Sequence, residues 1–182
     1  MIYTSQDLEK EAVMQTAAQM CAAARTAPKA HGNDTLYTMV LTDKEKDALA
    51  SKMEEIGRRL MGEKMPAWYG RDAENVRKAQ AVVLIGAKRK MRGVPNCGFC
   101  GFGDCGECAK KGGNCAYLYI DLGIGVSSAV AAADINHVDN RVMFSVGRTA
   151  QEMNYEDDVL WLGIPLSVSG KNIFFDRGIV HA

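Results

Sequence analysis

Five of the six cysteines in this chain fall within nineteen residues, in a segment that also contains six glycines. The five are Cys97, Cys100, Cys105, Cys108 and Cys115. Thiolates this close together typically surround a metal, because cysteine sulfur is a soft donor for zinc and for iron–sulfur clusters. The glycines let the backbone bend tightly and leave N–H groups that can point at the sulfurs. The segment therefore predicts a metal-binding loop.

The spacing of these cysteines favours an iron–sulfur cluster over zinc. A zinc ribbon normally separates its two C-x2-C pairs by a dozen or more residues, whereas only four residues separate Cys100 from Cys105. Short spacings are typical of loops that wrap a multi-iron cluster. Two quartets fit: Cys100, Cys105 and Cys115 combine either with Cys108 or with Cys97. Structural zinc, and redox thiols or disulfides, are the alternatives.

Length and composition fit one globular domain. The 182 residues are 47% hydrophobic, and 22 basic residues balance 22 acidic ones, so charge gives no support to nucleic acid as the main partner. The N-terminus lacks the basic and apolar segments of a signal peptide. The longest apolar stretch, Ala116 to Ile135, is interrupted by aspartate, glycine and serine. We therefore expect a cytoplasmic protein without a membrane span, where clustered cysteines indicate metal binding or catalysis.

The elements that must position the cysteine loop form an α+β pattern. Apolar periodicity and end signals predict four helices, one from Ser5 to before Pro28 and three over Thr42 to Gly62, Ala73 to Lys78 and Asn114 to Asn136. Runs of apolar and β-branched residues predict four strands, over Leu36 to Leu41, Ala81 to Ile85, Arg141 to Ser145 and Val159 to Ile164. This order indicates a single domain over residues 1–182, with a cysteine-rich insertion at about 93–115.

Two other segments could bind charged groups. Gly170 and Lys171 could place backbone amides and a lysine near a phosphate, such as the tail of a flavin, and an ordinary turn is the alternative. The basic run Lys88 to Arg92 could offset the charge of a cluster or dock an acidic electron carrier, and a solvated turn is the alternative. The three histidines stand apart in sequence and show no metal-ligand spacing: His31, His137 and His181.

The cysteine loop, together with Asp121 to Ala133 and Gly163 to Arg177, resembles a known family. The similarity, which extends over nearly the whole chain, is to uncharacterised prokaryotic proteins that contain a ferredoxin domain. This resemblance implies that four of the five cysteines hold the metal, and that Cys108 is an extra thiol or an alternative ligand. The four implied ligands are Cys97, Cys100, Cys105 and Cys115.

The segment Met20 to Ala50 is similar to the opening of nitroreductase-like flavoproteins, with a helix, an Ala-Pro turn, a strand and a charged helix cap. The later elements follow the same order. This second resemblance implies a three-layer sheet flanked by helices, an intertwined homodimer, and FMN in the groove between the subunits. The chain departs from that pattern at its start, which lacks the arginines that usually grip the FMN phosphate. Residues 29–34 match the flavin contacts only in part.

Together these observations predict an iron–sulfur protein with one [4Fe–4S] cluster, built on a nitroreductase-like homodimer. Its expected activity is electron transfer to a redox partner protein, or reduction of a small-molecule acceptor, with FMN as a candidate second cofactor. The sequence assigns no catalytic residue. The alternatives are a non-catalytic binding or scaffold protein with structural zinc in the cysteine loop, and a cluster-based sensor.

Overall fold

The structure, a computed structural model, describes residues 1–62 and 67–175. Its α-helices are α1 (Ser5–Thr26), α2 (Asp43–Met61), α3 (Ala67–Lys78), α4 (Cys105–Lys110), α5 (Ala116–Ile135) and α6 (Phe144–Glu152). Its strands are β1 (Leu36–Leu41), β2 (Ala81–Lys88), β3 (Asp139–Asn140) and β4 (Val159–Ser167). His181 and the last two residues of the segment from Gly163 to Arg177 lie outside the described residues.

The four strands form one antiparallel sheet in the order β1-β2-β4-β3. β2 lies between β1 and β4 and is buried over its first seven residues. It pairs Leu36 with Ala87 on one side and Ala81 with Leu166 on the other. Because both of its faces and both of its edges are covered, its sequence is a continuous apolar run rather than an alternating one.

Helices cover both faces of this sheet. Successive side chains of a strand point to opposite faces, so Val83 and Ile85 of β2 pack in one core cluster with α1 and α5. Val82 and Leu84 pack in a second cluster with α2, α3 and α6. The predicted α+β architecture, with a sheet between two helical layers, is confirmed.

The predicted strand over Arg141 to Ser145 is wrong. Met143 makes only an isolated bridge to Gly163, and α6 begins at the next residue. Gly147 of α6 lies so close to the backbone of Trp161 in β4 that no β-carbon would fit between them. Helix and strand are hard to distinguish in a short apolar run, and here the contact with β4 decides for the helix. The sequence pattern also fails to predict α4.

α5 follows the cysteine loop and connects it to the core of the domain. Among the described helices, it is the one whose length and apolar composition would suffice to cross a membrane. Contrary to the expectation from the sequence, composition alone therefore does not exclude a membrane span. In the structure, α5 packs along α1 and against the sheet, with Leu118, Leu122 and Ala129 buried. Its packing is that of a core helix in a globular domain.

Candidate metal centre

The cysteine loop runs from the end of β2 to the start of α5, so both of its ends are anchored in the core. Cys115 is the N-cap residue of α5 and is 8% exposed. Cys105 is the first residue of α4, which Asp104 caps by accepting a hydrogen bond from the Glu107 amide at 2.7 Å. α4 places Cys105 and Cys108 one turn apart, on neighbouring positions of the helix surface.

Four of the five cysteines line one cavity of about 280 Å³. The rest of its wall includes Met91, Val94, Pro95 and Phe102, together with several glycines. Among the described residues, no three His, Cys, Asp or Glu side chains form a ready-made site for a metal ion. The four lining cysteines are Cys97, Cys100, Cys105 and Cys115, the set implied by the family resemblance, and their role as ligands stays a prediction.

The fifth cysteine lies behind this wall. Cys108 is fully buried and is not part of the cavity lining. Burial raises the pKa of the Cys108 thiol, and the neighbouring Cys100 thiol raises it further. Gly113 packs directly over it, since a β-carbon at Gly113 would lie 2.9 Å from the Cys108 sulfur. Cys108 is thus buried beside Cys100, Cys105 and Cys115, whose thiols also raise its pKa.

A tight turn brings Cys97 and Cys100 to the same cavity. Gly98 and Gly101 have φ angles of 60° and 83°, in the left-handed region that glycine adopts at little cost. The Gly101 amide donates to the Gly98 carbonyl oxygen at 2.9 Å. The two glycines therefore reverse the chain around Cys100.

A buried ion pair fixes the start of the cysteine loop. Arg92 Nε donates to Asp121 Oδ2 at 2.9 Å, and the other Arg92 nitrogens donate to Thr35 Oγ1 and to the Lys90 carbonyl oxygen, each at 2.7 Å. Asp121 Oδ1 accepts from the Ala30 amide at 2.9 Å. Buried charges are tolerated where they are paired and hydrogen-bonded in this way. Arg92, which belongs to the predicted basic run, is therefore structural and not available to a partner.

Sequence analysis did not identify this network. A signal was present, because Asp121 interrupts an apolar helical stretch, and a carboxylate in such a position is rarely buried unless it is paired. The arginine that pairs with it lies 29 residues earlier, in a run that resembles a solvated turn. Local pattern does not show which distant residues meet.

Two exposed members of the basic run lie beside a second cavity of about 560 Å³. Arg89, Lys90 and Met91 form one part of its lining. The other part consists of Ala109 and the residues 112–115. Cys115 and Met91 line both cavities, so the two spaces are neighbours.

The predicted phosphate contacts lie away from the cysteines. Gly170 and Lys171 are not part of the cysteine cavity, and Ser169 Oγ donates to the Lys171 carbonyl oxygen at 2.7 Å in a local turn. The amine of Lys29 donates to the carbonyl oxygens of Arg25 and Ala27, at 2.6 and 2.8 Å. That amine is engaged within the chain.

The described histidines and the sixth cysteine do not line the cysteine cavity. His31 is exposed, with Nδ1 3.1 Å from the Arg92 carbonyl oxygen, and His137 is exposed just beyond α5. Neither lines the cysteine cavity. Cys21, on α1, packs partly buried against the core, and this burial raises the pKa of its thiol.

Comparison with known sequences gave one family and one extended relative. The model of a family described as "uncharacterized protein containing a ferredoxin domain" matches residues 111–177. This stretch includes Cys115 but none of the other four clustered cysteines. An uncharacterised protein from Archaeoglobus fulgidus is 39% identical over 185 residues, which cover 97% of this chain and 98% of the relative.

Comparison with solved structures gave nitroreductases. A nitroreductase with bound FMN from Desulfitobacterium hafniense matches with a TM-score of 0.58 and 14% identity, over 86% of this chain and 78% of that one. Nitroreductase A from Vibrio parahaemolyticus matches with a TM-score of 0.53 and 11% identity, over 87% of this chain and 60% of that one. At this identity the similarity shows a nitroreductase-like fold.

Proposed function

Because this chain belongs to the family of uncharacterised proteins that contain a ferredoxin domain, we propose that it is an iron–sulfur protein that carries single electrons. The observation that supports this best is that four cysteines line one and the same cavity. We propose Cys97, Cys100, Cys105 and Cys115 as the ligands. A redox partner protein or a small molecule would accept the electron.

The arrangement of the donors favours a cluster over zinc. One zinc ion needs four ligands about 2.3 Å from a common centre for sulfur. A [4Fe–4S] cluster takes four cysteine thiolates around a larger body, which agrees with four closely spaced cysteines that line a cavity of about 280 Å³. When bound, such a cluster supplies one-electron oxidation and reduction.

The chain itself prepares the cavity for a negative group. Cys115 occupies the N-cap of α5, where the positive end of the helix dipole favours negative charge. Phe102, Val94 and Pro95 form apolar parts of the wall and limit contact with water. Arg92, which is paired with Asp121, holds the first residues of the cysteine loop in place and does not line the cavity.

A flavin is not part of this proposal. The nitroreductase from Desulfitobacterium hafniense holds FMN on a similar fold. In this chain, however, the Lys29 amine donates to backbone carbonyl oxygens, and Lys171 does not line the cysteine cavity. We therefore assign no step to FMN.

We also propose that the protein is a homodimer. Tyr119, Ile120 and Ile124, on two successive turns of α5, are 49%, 42% and 37% exposed, so they form an apolar surface on the side of the helix that faces away from the core. Ile120→Lys should convert the dimer to a monomer in sedimentation analysis. Leu60→Lys, at an exposed position of α2, is the matched control and should leave the dimer intact.

Metal analysis of protein purified without oxygen tests the proposed function. We expect about four iron and four sulfide per chain, with the broad visible absorption of a cluster and a one-electron reduction by dithionite. A colourless protein with about one zinc per chain would contradict the proposal and favour the scaffold alternative.

Serine substitutions test the choice of ligands. Replacing any one of the four cavity cysteines should lower the iron content strongly, whereas Cys108→Ser should retain it. Cys21→Ser, outside the cysteine loop, is the matched control and should also retain full iron. Full iron in Cys115→Ser together with its loss in Cys108→Ser would show that the alternative quartet is correct.

A further inference from the structure

We propose that the second cavity, lined by Arg89 and Lys90, binds a small multivalent anion that exchanges one electron with the metal centre past Cys115. This inference rests on the proposed function for the electron, but anion binding itself requires no metal. In the transfer, one electron leaves the reduced centre and enters the bound acceptor, whose charge becomes more negative by one. No bond forms or breaks.

The position of this cavity supports a role in electron exchange. Cys115 and Met91 line both this cavity and the one that contains the other three proposed ligands. A molecule in the second cavity would therefore lie next to Cys115, one of the proposed ligands. The volume, about 560 Å³, lies in the range of small-molecule sites.

The charge of the lining favours an anion. Among the described residues that line it, Arg89 and Lys90 carry positive charge and none is a carboxylate. The partner of Arg89 is Asp158, at 3.5 Å, in an ion pair whose side chains are 40% and 55% exposed. Exposed pairs of this kind are weak, so Arg89 can turn to a ligand. The backbone of Lys90 is held in place, because its carbonyl oxygen accepts a hydrogen bond from Arg92 at 2.7 Å.

The nearest acidic side chain of α4 is neutralised elsewhere. Glu107 accepts hydrogen bonds from the Lys111 amine and the Gly103 amide, each at 2.9 Å, and it does not line the cavity. The lining also includes Ala109, Gly112 and Gly113. These residues have a small side chain or none, so the backbone there is open to a ligand. A compact anion in this cavity would thus meet no carboxylate of the described lining, and Arg89 and Lys90 would offset the negative charge of the proposed centre.

Binding of hexacyanocobaltate(III), a redox-inert trivalent anion, tests this site. Titration calorimetry of the purified full chain should show binding that weakens as salt is added. Arg89→Gln and Lys90→Gln should each weaken it about tenfold, the effect of losing one charge-assisted hydrogen bond. Ala109→Glu, which adds a carboxylate to the lining, should weaken it at least as much. Lys10→Gln, on the exposed side of α1, is the matched control and should bind like the unchanged chain.

Electron transfer supplies the second arm. The reduced protein should pass electrons to hexacyanoferrate(III), and Lys90→Gln should slow this transfer about tenfold at low acceptor concentration, while transfer to a neutral quinone stays unchanged. Equal anion affinities in all variants would overturn the inference, whether or not iron is present. Absence of iron would overturn the proposed function and the electron step together, and the calorimetric result would still decide whether the anion site exists.

Discussion

Arg92 and Asp121 meet in the interior of the domain, with Nε 2.9 Å from Oδ2 and each side chain only 1% exposed. Arg92 precedes the first cysteine of the loop by five residues, and Asp121 follows the last by six. The pair therefore joins the two ends of the cysteine loop at its base. Through Thr35 and Ala30, the same network reaches β1 and the turn before it.

Asp121→Asn should destabilise the protein strongly. The amide keeps the shape of the carboxylate but leaves the buried charge of Arg92 without its counter-ion, a change that typically costs about 3–5 kcal/mol. Urea unfolding followed by circular dichroism measures the effect. Glu55→Gln makes the same chemical change in the exposed pair with Lys52 and should cost at most about 1 kcal/mol. Equal effects in the two variants would show that the buried pair has no special role.

Two glycines of α5 should respond to alanine in opposite directions. At Gly123 a β-carbon would meet no atom within 4 Å, so Gly123→Ala should stabilise the protein by about 1 kcal/mol through helix propensity. At Gly125 it would lie 2.7 Å from Leu36 Cδ1, so Gly125→Ala should destabilise the contact between α5 and β1 by about 1–3 kcal/mol. Thermal unfolding of both variants measures the difference. Stabilisation by both would mean that α5 and β1 are less closely packed than described.

Gly113→Ala should lower the iron content. The added β-carbon would lie 2.8 Å from Phe102 Cε2 and 2.9 Å from the Cys108 sulfur, so it would push Phe102 toward the cavity or displace Cys108. Overpacking of this kind costs about 1–3 kcal/mol. The readout is iron per chain after anaerobic reconstitution. Gly170→Ala, where a β-carbon would meet nothing within 4 Å, should keep full iron. If Gly113→Ala also keeps full iron and stability, Gly113 is not part of the support for the cavity.

The acid side of the stability profile should depend on Glu152. A hydrogen bond from Arg59 lowers the pKa of this carboxyl below its usual value of 4.5, and the charges of Arg59 and Arg148 lower it further. The resulting stabilisation is complete above about pH 5 and is lost as the pH falls through the lowered pKa. Glu152→Gln should therefore lose less stability than the unchanged chain between about pH 6 and pH 3 in urea unfolding. Arg59→Gln, which removes the main cause of the shift, should reduce the same pH dependence, and a slope unchanged in both variants would contradict this account.

The strands that pair within the sheet are largely predictable from local sequence. β1 has the predicted bounds, Leu36–Leu41, because its apolar run lies between clear turn signals. β2 continues three residues further than expected, since pairing with β4 extends to Lys88 and Val159. The residues of Arg141 to Ser145 have the same local character, yet they lead into a helix, because their packing against β4 is a tertiary effect.

The candidate site divides in a similar way. The prediction that the loop binds a metal rests on the density of cysteines alone. Spacing leaves Cys97 and Cys108 as competing members of the quartet, and it does not show that Gly113 packs against the Cys108 sulfur. Nor could the position of Lys90 at the mouth of a second cavity be predicted, since it depends on the buried bond between its carbonyl oxygen and Arg92.

Neither of the two hydrophobic clusters contains a residue from 89–115. Small zinc-dependent domains unfold when the ion is removed because the ion takes the place of a core. In this chain the sheet and its helices have a core of their own. Damage of the proposed cluster by oxygen would therefore leave a folded polypeptide with an empty cysteine cavity. The cluster could then be rebuilt in that same polypeptide, without synthesis of a new chain.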